Sequence, residues 1–167
     1  MRSMIVNLLD YSRIESSPKP FERCDLNNIY RMALSNLHAS IEELDAHLQC
    51  EPLPEVMGDA SQLVQLLQNL IGNAIKFHGR EQPQVAVTAG LVDGEWRISV
   101  ADNGIGIEPG DTERVFEVFK RLHAADRYPG SGIGLSVCKR IIERHRGRIW
   151  AEPVGLAGGR GTTFHFT

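Results

Sequence analysis

The sequence predicts an α+β fold: a two-layer α/β sandwich with one mixed, mostly antiparallel sheet covered by helices on one face. Three observations carry this expectation. Segments with apolar residues at helical spacing stand in blocks beside segments of period two. Neighbouring strand segments join through short turns, most clearly at Asp93-Gly94, a hairpin signal. The strict strand–helix–strand alternation of a doubly wound parallel sheet is missing.

The elements follow in order. In the first segment, Met4, Ile5, Leu8 and Leu9 form a helical stripe to about Glu15, and Ser17-Pro18-Lys19-Pro20 then breaks it into a linker. A helix this short is marginal alone in water, so it reads as the end of a longer one. Phe21 to Cys24 reads as a short strand. Asp25 is placed to cap a helix reaching about Ala46, with Leu26, Ile29, Met32, Ala33, Leu37 and Ile41 on its apolar side. His47 to Glu51 reads as a strand, and Pro52, Pro54 and Gly58 as a turn. Asp59 or Ser61 caps a helix running to about His78. Val85, Val87 and Ala89, then Trp96, Ile98 and Val100, alternate as the two arms of a hairpin. A glycine-rich turn follows at Asp102 to Gly106. Ile107 to Ser131 is long and mostly polar, with one apolar segment at Val115 to Phe119, as in lids and binding loops. A helix then runs to about Arg146 and stops at Gly147. Arg148 to Glu152 and Thr162 to Phe166 read as a closing antiparallel pair.

Composition narrows the function classes. At 167 residues, 42% hydrophobic and 23% charged, the chain suits one soluble domain with a short extra element. A net charge of −3, from 18 basic and 21 acidic residues, gives no support to general nucleic-acid binding. Cys24, Cys50 and Cys138 are distant and odd in number, so reduced cytosolic thiols are expected rather than a disulfide framework or a zinc site. No apolar run nears the roughly 18 residues of a membrane span, and no secretory leader is evident. A cytoplasmic location is expected, with attachment to a larger membrane-bound sensor left open.

Three segments carry chemistry. On the helix from Ser61 to His78, Leu63, Leu66, Leu67, Leu70, Ile71 and Ala74 form the core stripe. Asn69, Asn73 and Lys76 share a neighbouring face at i, i+4 and i+7. Asparagine is a weak helix former, an amide oxygen suits magnesium, and Lys76 can meet phosphate charge. Taken alone, a solvated helix face accounts for them equally well. Asp102 closes a strand and opens Asp102-Asn103-Gly104-Ile105-Gly106-Ile107. A buried carboxylate there can accept from an exocyclic amino group such as adenine N6; alone, the segment is an ordinary turn. Gly130-Ser131-Gly132-Ile133-Gly134-Leu135 leads into a helix, where free backbone N–H groups favour phosphate. By itself this spacing is weak.

Together and in this order the segments resemble a known family. NLIGNAIKF at Asn69 to Phe77, DNGIGI at Asp102 to Ile107, FEVFKR at Phe116 to Arg121 and GSGIGL at Gly130 to Leu135 look like the four nucleotide-binding boxes of sensor histidine kinases. The likeness covers about Pro20 to Thr167, and the run from Arg121 to Trp150 is also similar to phytochrome-like sensors. It implies the Bergerat ATP-binding fold shared with gyrase-type ATPases, Hsp90 and mismatch-repair ATPases, and Mg-ATP as cofactor. By the same resemblance Asn73 holds magnesium with Asn69 assisting, Lys76 approaches the phosphates and Phe77 flanks the nucleotide. Asp102 reads adenine, Gly104 and Gly106 floor the pocket, and Ile107 belongs to the same nucleotide-binding set. Arg121 is a candidate phosphate contact from the lid, Gly132 and Gly134 allow the lid to close over the triphosphate, and Gly130, Ser131, Ile133 and Leu135 are nucleotide-binding residues of the same loop.

The resemblance also sets an expectation about chemistry. Gyrase-like and Hsp90-like relatives carry a water-activating glutamate four residues before the magnesium asparagine. Here that position is Asn69, and an amide is no general base near neutral pH. The expected activity is therefore transfer of the γ-phosphoryl group to a histidine, relayed onward to a response-regulator aspartate. A non-catalytic nucleotide-binding module and a gyrase- or Hsp90-like ATPase are the alternatives. The six histidines, His38, His47, His78, His123, His145 and His165, lack the acceptor's sequence context. His145 is expected at a solvated helix end. MIVNLLDYSRIES resembles the end of the family's second dimerisation helix, so residues 1–17 are read as its remnant and residues 18–167 as the catalytic domain. The expected partners are the dimerisation domain of the same protein, which makes the full-length protein a homodimer, and a response regulator. Neither nucleic acid nor membrane contact is expected.

Overall fold

The computed structural model of the chain describes residues 19–120 and 130–167. β1 (Glu22–Asp25) leads into α1 (Leu26–Glu43), followed by β2 (His47–Cys50), β3 (Glu55–Gly58) and α2 (Ala60–Lys76). β4 (Gln84–Val92) and β5 (Glu95–Asp102) form a hairpin; α3 (Gly134–Arg144), β6 (Ile149–Glu152) and β7 (Thr163–Phe166) complete the described chain. The main sheet runs β2-β4-β5-β7-β6, with β2 parallel to β4 and every other pair antiparallel. The predicted mixed, mostly antiparallel sheet is thus present. A second ribbon pairs β1 against β3 where the sequence signals only a turn at Pro52, Pro54 and Gly58.

Alternation decides which face of the sheet is buried. Val85, Val87, Ile98, Val100, Phe164 and Phe166 are all buried. α2 lays Leu66, Leu67, Leu70, Ile71 and Ile75 against this layer, each essentially without solvent exposure. Burying one such side chain contributes about 2 kcal/mol, so α2 is the main apolar anchor of the helical layer. The hairpin turns at Asp93 (φ 52) and Gly94 (φ 82), the paired left-handed conformation that suits the twist of its strands.

Caps set the helix ends. Asp25 accepts from Asn27 N at 2.8 Å and starts α1. Asp59, rather than Ser61, caps α2, taking Ser61 N and Gln62 N on Oδ1. α2 ends at Lys76, with Phe77 as its C-cap.

α3 lies antiparallel to α2. Its last residue, Arg144, bonds Asp59 Oδ2 at 3.1 Å, Gln62 Oε1 at 2.6 Å and Lys19 O at 2.7 Å. His145, expected to be a solvated helix end, is instead half-buried: Nε2 accepts from Asp59 N at 3.0 Å and Nδ1 donates to Ile141 O. Its ring stacks on Phe21 at 4.5 Å. Helix periodicity alone could not reveal this, because the Asp59 contact comes from 86 positions away.

Candidate functional site

α2 points a polar row away from its core stripe. Gln65, Asn69, Asn73 and Lys76 follow one another at steps of four, four and three residues, and all four border a cavity of about 220 Å³. The facing wall is the end of β5 and the start of β7: Asp102, Thr162 and Phe164. Gly106 and Ile107 close one side, Val115 and Lys120 another, and the glycine loop with the first turn of α3 completes the rim.

Asp102 is 6% exposed. Its Oδ1 accepts from Gly104 N at 2.8 Å and Thr162 N at 3.1 Å, while Oδ2 takes no bond from the described residues. Burial pushes the carboxyl up to about 6, against the two backbone donors, which pull it down. Gly104 is required by close approach: a Cβ there would lie 2.4 Å from Phe77 O, the same carbonyl that accepts from Ile105 N at 2.9 Å. These contacts lock the Asp102 turn onto the C-terminal end of α2.

The other end of the row meets α3. Asn69 Nδ2 donates to Gly134 O at 3.2 Å, which joins the start of α3 to the middle of α2 and uses one of the amide's two N–H groups. Asn69 Oδ1 accepts no hydrogen bond from the described residues, and the residue borders the cavity. The Asn73 side chain makes no hydrogen bond with any described residue, although it is half-buried on the cavity wall. Lys76 Nζ stands 4.7 Å over the Phe77 ring, and a Cβ on Gly130 would come within 2.5 Å of it. Gly132 takes φ +70, a conformation open to glycine, between that contact and the helix start.

Most of the expected residues therefore converge. Asn69, Asn73, Lys76, Phe77, Asp102, Gly106, Ile107, Gly130, Ser131, Gly132, Gly134 and Leu135 all line the cavity. Gly104 lies beneath it. Ile133 differs: its side chain has no exposure and packs in the core, while its carbonyl accepts from Ser136 Oγ at 2.7 Å. Arg121 and His123 lie outside the described residues. Gln65, Val115, Lys120, Val137, Thr162 and Phe164 were not anticipated. Gln65 shares the four-residue spacing of Asn69 and Asn73, so that one was within reach of the sequence. Thr162 and Phe164 arrive through the pairing of β7 with β5, which no local pattern announces.

The donor set bears on a metal. Among the described residues no three His, Cys, Asp or Glu side chains gather as a metal site. The cavity instead offers the amides of Asn69 and Asn73, the latter on a side chain with no hydrogen bond to a described residue. Hard, neutral oxygens in small number fit magnesium, which retains water and leans on substrate phosphates rather than on an all-protein cage.

Residues 58–167 match the family model for histidine kinase-, DNA gyrase B- and HSP90-like ATPases. The chain belongs to this family. Within it, the chain is 46% identical over its whole length to cyanobacterial phytochrome A of Nostoc sp. (strain PCC 7120), covering 21% of that protein. It thus spans about a fifth of that relative. Among solved structures, full-length ShkA in complex with AMPPNP superposes with a TM-score of 0.78 at 28% identity, over 98% of this chain and 34% of that one. Histidine kinase ThkA, solved in complex with the response regulator protein TrrA, gives 0.73 at 25% identity, over 99% of this chain and 46% of that one. The ATPase fold and the histidine kinase kinship expected from the four boxes are both borne out.

Proposed function

We propose that the chain is the ATP-binding catalytic domain of a two-component sensor histidine kinase, which holds Mg-ATP and gives its γ-phosphoryl group to a histidine on a dimerisation domain. The observation that carries this is the polar row on α2. Gln65, Asn69, Asn73 and Lys76 face the cavity and include no carboxylate. No residue of that row can take a proton from water at neutral pH, so the pocket suits a phosphoryl donor rather than a hydrolase.

Asp102 Oδ2 accepts the adenine amino group, and Phe77 flanks the base. Asn73, with Asn69 Oδ1, holds magnesium, which neutralises phosphate charge when bound. Lys76 adds a cation beside the glycine loop. The free N–H groups and positive end of α3 meet the phosphates. These residues position and neutralise, which is most of what phosphoryl transfer requires of a protein. Residues 1–17 are assigned to the end of the dimerisation helix and residues 18–167 to the catalytic domain. Homodimerisation and docking of a response regulator belong to the full-length protein. ThkA, which has this fold, was solved with such a regulator. The cytoplasm is the proposed place of reaction; no described helix is long and apolar enough to cross a membrane, and all three cysteines are unpaired.

Calorimetric titration of ATP with magnesium tests the assignment. Asp102→Asn swaps the acceptor for a donor and should weaken ATP at least a hundredfold. Asn73→Ala should reduce the gain in affinity that magnesium brings. Unchanged affinity and magnesium dependence in both variants would refute the site.

A further inference from the structure

Gln65 is the one member of the α2 row with no role yet. It borders the cavity one helical turn beyond Asn69, and its side chain bonds to no described residue. The direction of the row gives it meaning. The base-reading end is fixed at the C-terminus of α2, where Phe77 O receives Ile105 N and abuts Gly104. Asn69 faces the start of α3 through its bond to Gly134 O. With a rise of 1.5 Å per residue, Gln65 lies about 6 Å beyond Asn69 and about 18 Å from Phe77. It stands at the far end of the cavity from the base.

Hydrogen-bond inventory then separates the amides. Phosphoryl oxygens are acceptors and call for donors. Asn69 spends one of its two amide N–H groups on Gly134 O and is held at the start of α3, short of the far end. Lys76 Nζ sits back at Phe77 and Gly130. Gln65 carries the amide N–H donors of α2 nearest the far end.

We infer that Gln65 Nε2 donates to an oxygen of the γ-phosphoryl group and so reads ATP against ADP. The inference rests on the nucleotide reading of the cavity given above. A neutral donor suits this place. It can hold the terminal phosphoryl without neutralising it, and it leaves the phosphorus open to attack from beyond the pocket.

The test compares ATP and ADP binding to the chain itself, each with magnesium, for the wild type, Gln65→Leu and Gln65→Glu. Gln65→Leu should weaken ATP about tenfold, the worth of one hydrogen bond to a charged group, and change ADP less than twofold. Gln65→Glu should weaken ATP further, since a carboxylate meets the γ-phosphoryl with like charge. Equal changes for ATP and ADP, or none, would overturn the assignment of Gln65 while leaving the pocket standing. A wild type that binds neither nucleotide would remove both readings. Matching urea midpoints for the three proteins identify folded variants; should Gln65→Leu fall short, Gln65→Met carries the same comparison.

Discussion

Asp102 holds a carboxyl group under two opposed demands. Folding buries it and favours the proton, with a value near 6 against the ordinary 3.8. The proposed adenine contact needs the ionised form, with Oδ2 accepting. The sign follows from linkage. A group whose folded value is raised stabilises the fold most below its unfolded value, and that contribution is lost as pH rises through about 6. At pH 7.5 the ionised carboxylate therefore opposes folding of the ligand-free chain by roughly 2–3 kcal/mol. Asp102→Asn keeps the Oδ1 acceptor for Gly104 N and Thr162 N and removes the charge. It should raise the urea midpoint at pH 7.5, and raise it less at pH 5, while losing ATP. A lower midpoint at both pH values would contradict this account. Wild-type ATP affinity should also decline as pH falls below about 6, when the acceptor is protonated.

At the scale of elements, the two helices that frame the cavity are fastened at the end away from the nucleotide. Arg144 at the end of α3 reaches Asp59, Gln62 and the backbone of Lys19, and lies 4.9 Å over the Phe21 ring. The Asp59 side chain is 3% exposed and that of Arg144 15%. Hydrogen bonds from Ser61 and Gln62 and the Arg144 cation hold Asp59 below its usual range, even though burial pushes it up. Removing the cation leaves a buried charge with too few partners, so Arg144→Leu should destabilise the fold by about 2–4 kcal/mol in urea titration. A loss under 0.5 kcal/mol would mean that Asp59 is adequately served by its caps. This fastening was not legible in the sequence, because the contacts join positions 82 to 125 apart. α2 was legible: its apolar period, its acidic cap and its polar row are all local. The β1–β3 ribbon was not, since two four-residue strands with few buried side chains carry almost no pattern. The same division runs through the site. Asn69, Asn73 and Asp102 announce themselves within motifs of nine and six residues, whereas Thr162 reaches Asp102 only because β7 pairs with β5 across 60 positions.

For the molecule as a whole, the question is where a phosphoryl group could go. Among the described residues no histidine lines the cavity. His38 is exposed beside Glu42 on α1, and His47 is exposed at the start of β2. His78 bonds Gly79 O through Nδ1. His145 uses both ring nitrogens in the α2–α3 fastening. His165 bonds Ser99 Oγ at 2.7 Å and stacks on Trp150 at 5.1 Å. On the proposed reading, a donor pocket with the described histidines placed away from it calls for an acceptor on a second domain. Incubated with γ-labelled ATP and magnesium, the chain should gain no acid-labile label of its own. Label should appear on a separately supplied dimerisation domain carrying the acceptor histidine, and Asn73→Ala should abolish that transfer. Stable label on this chain alone would place the acceptor within it, and steady release of free phosphate without any acceptor would return the pocket to the hydrolases.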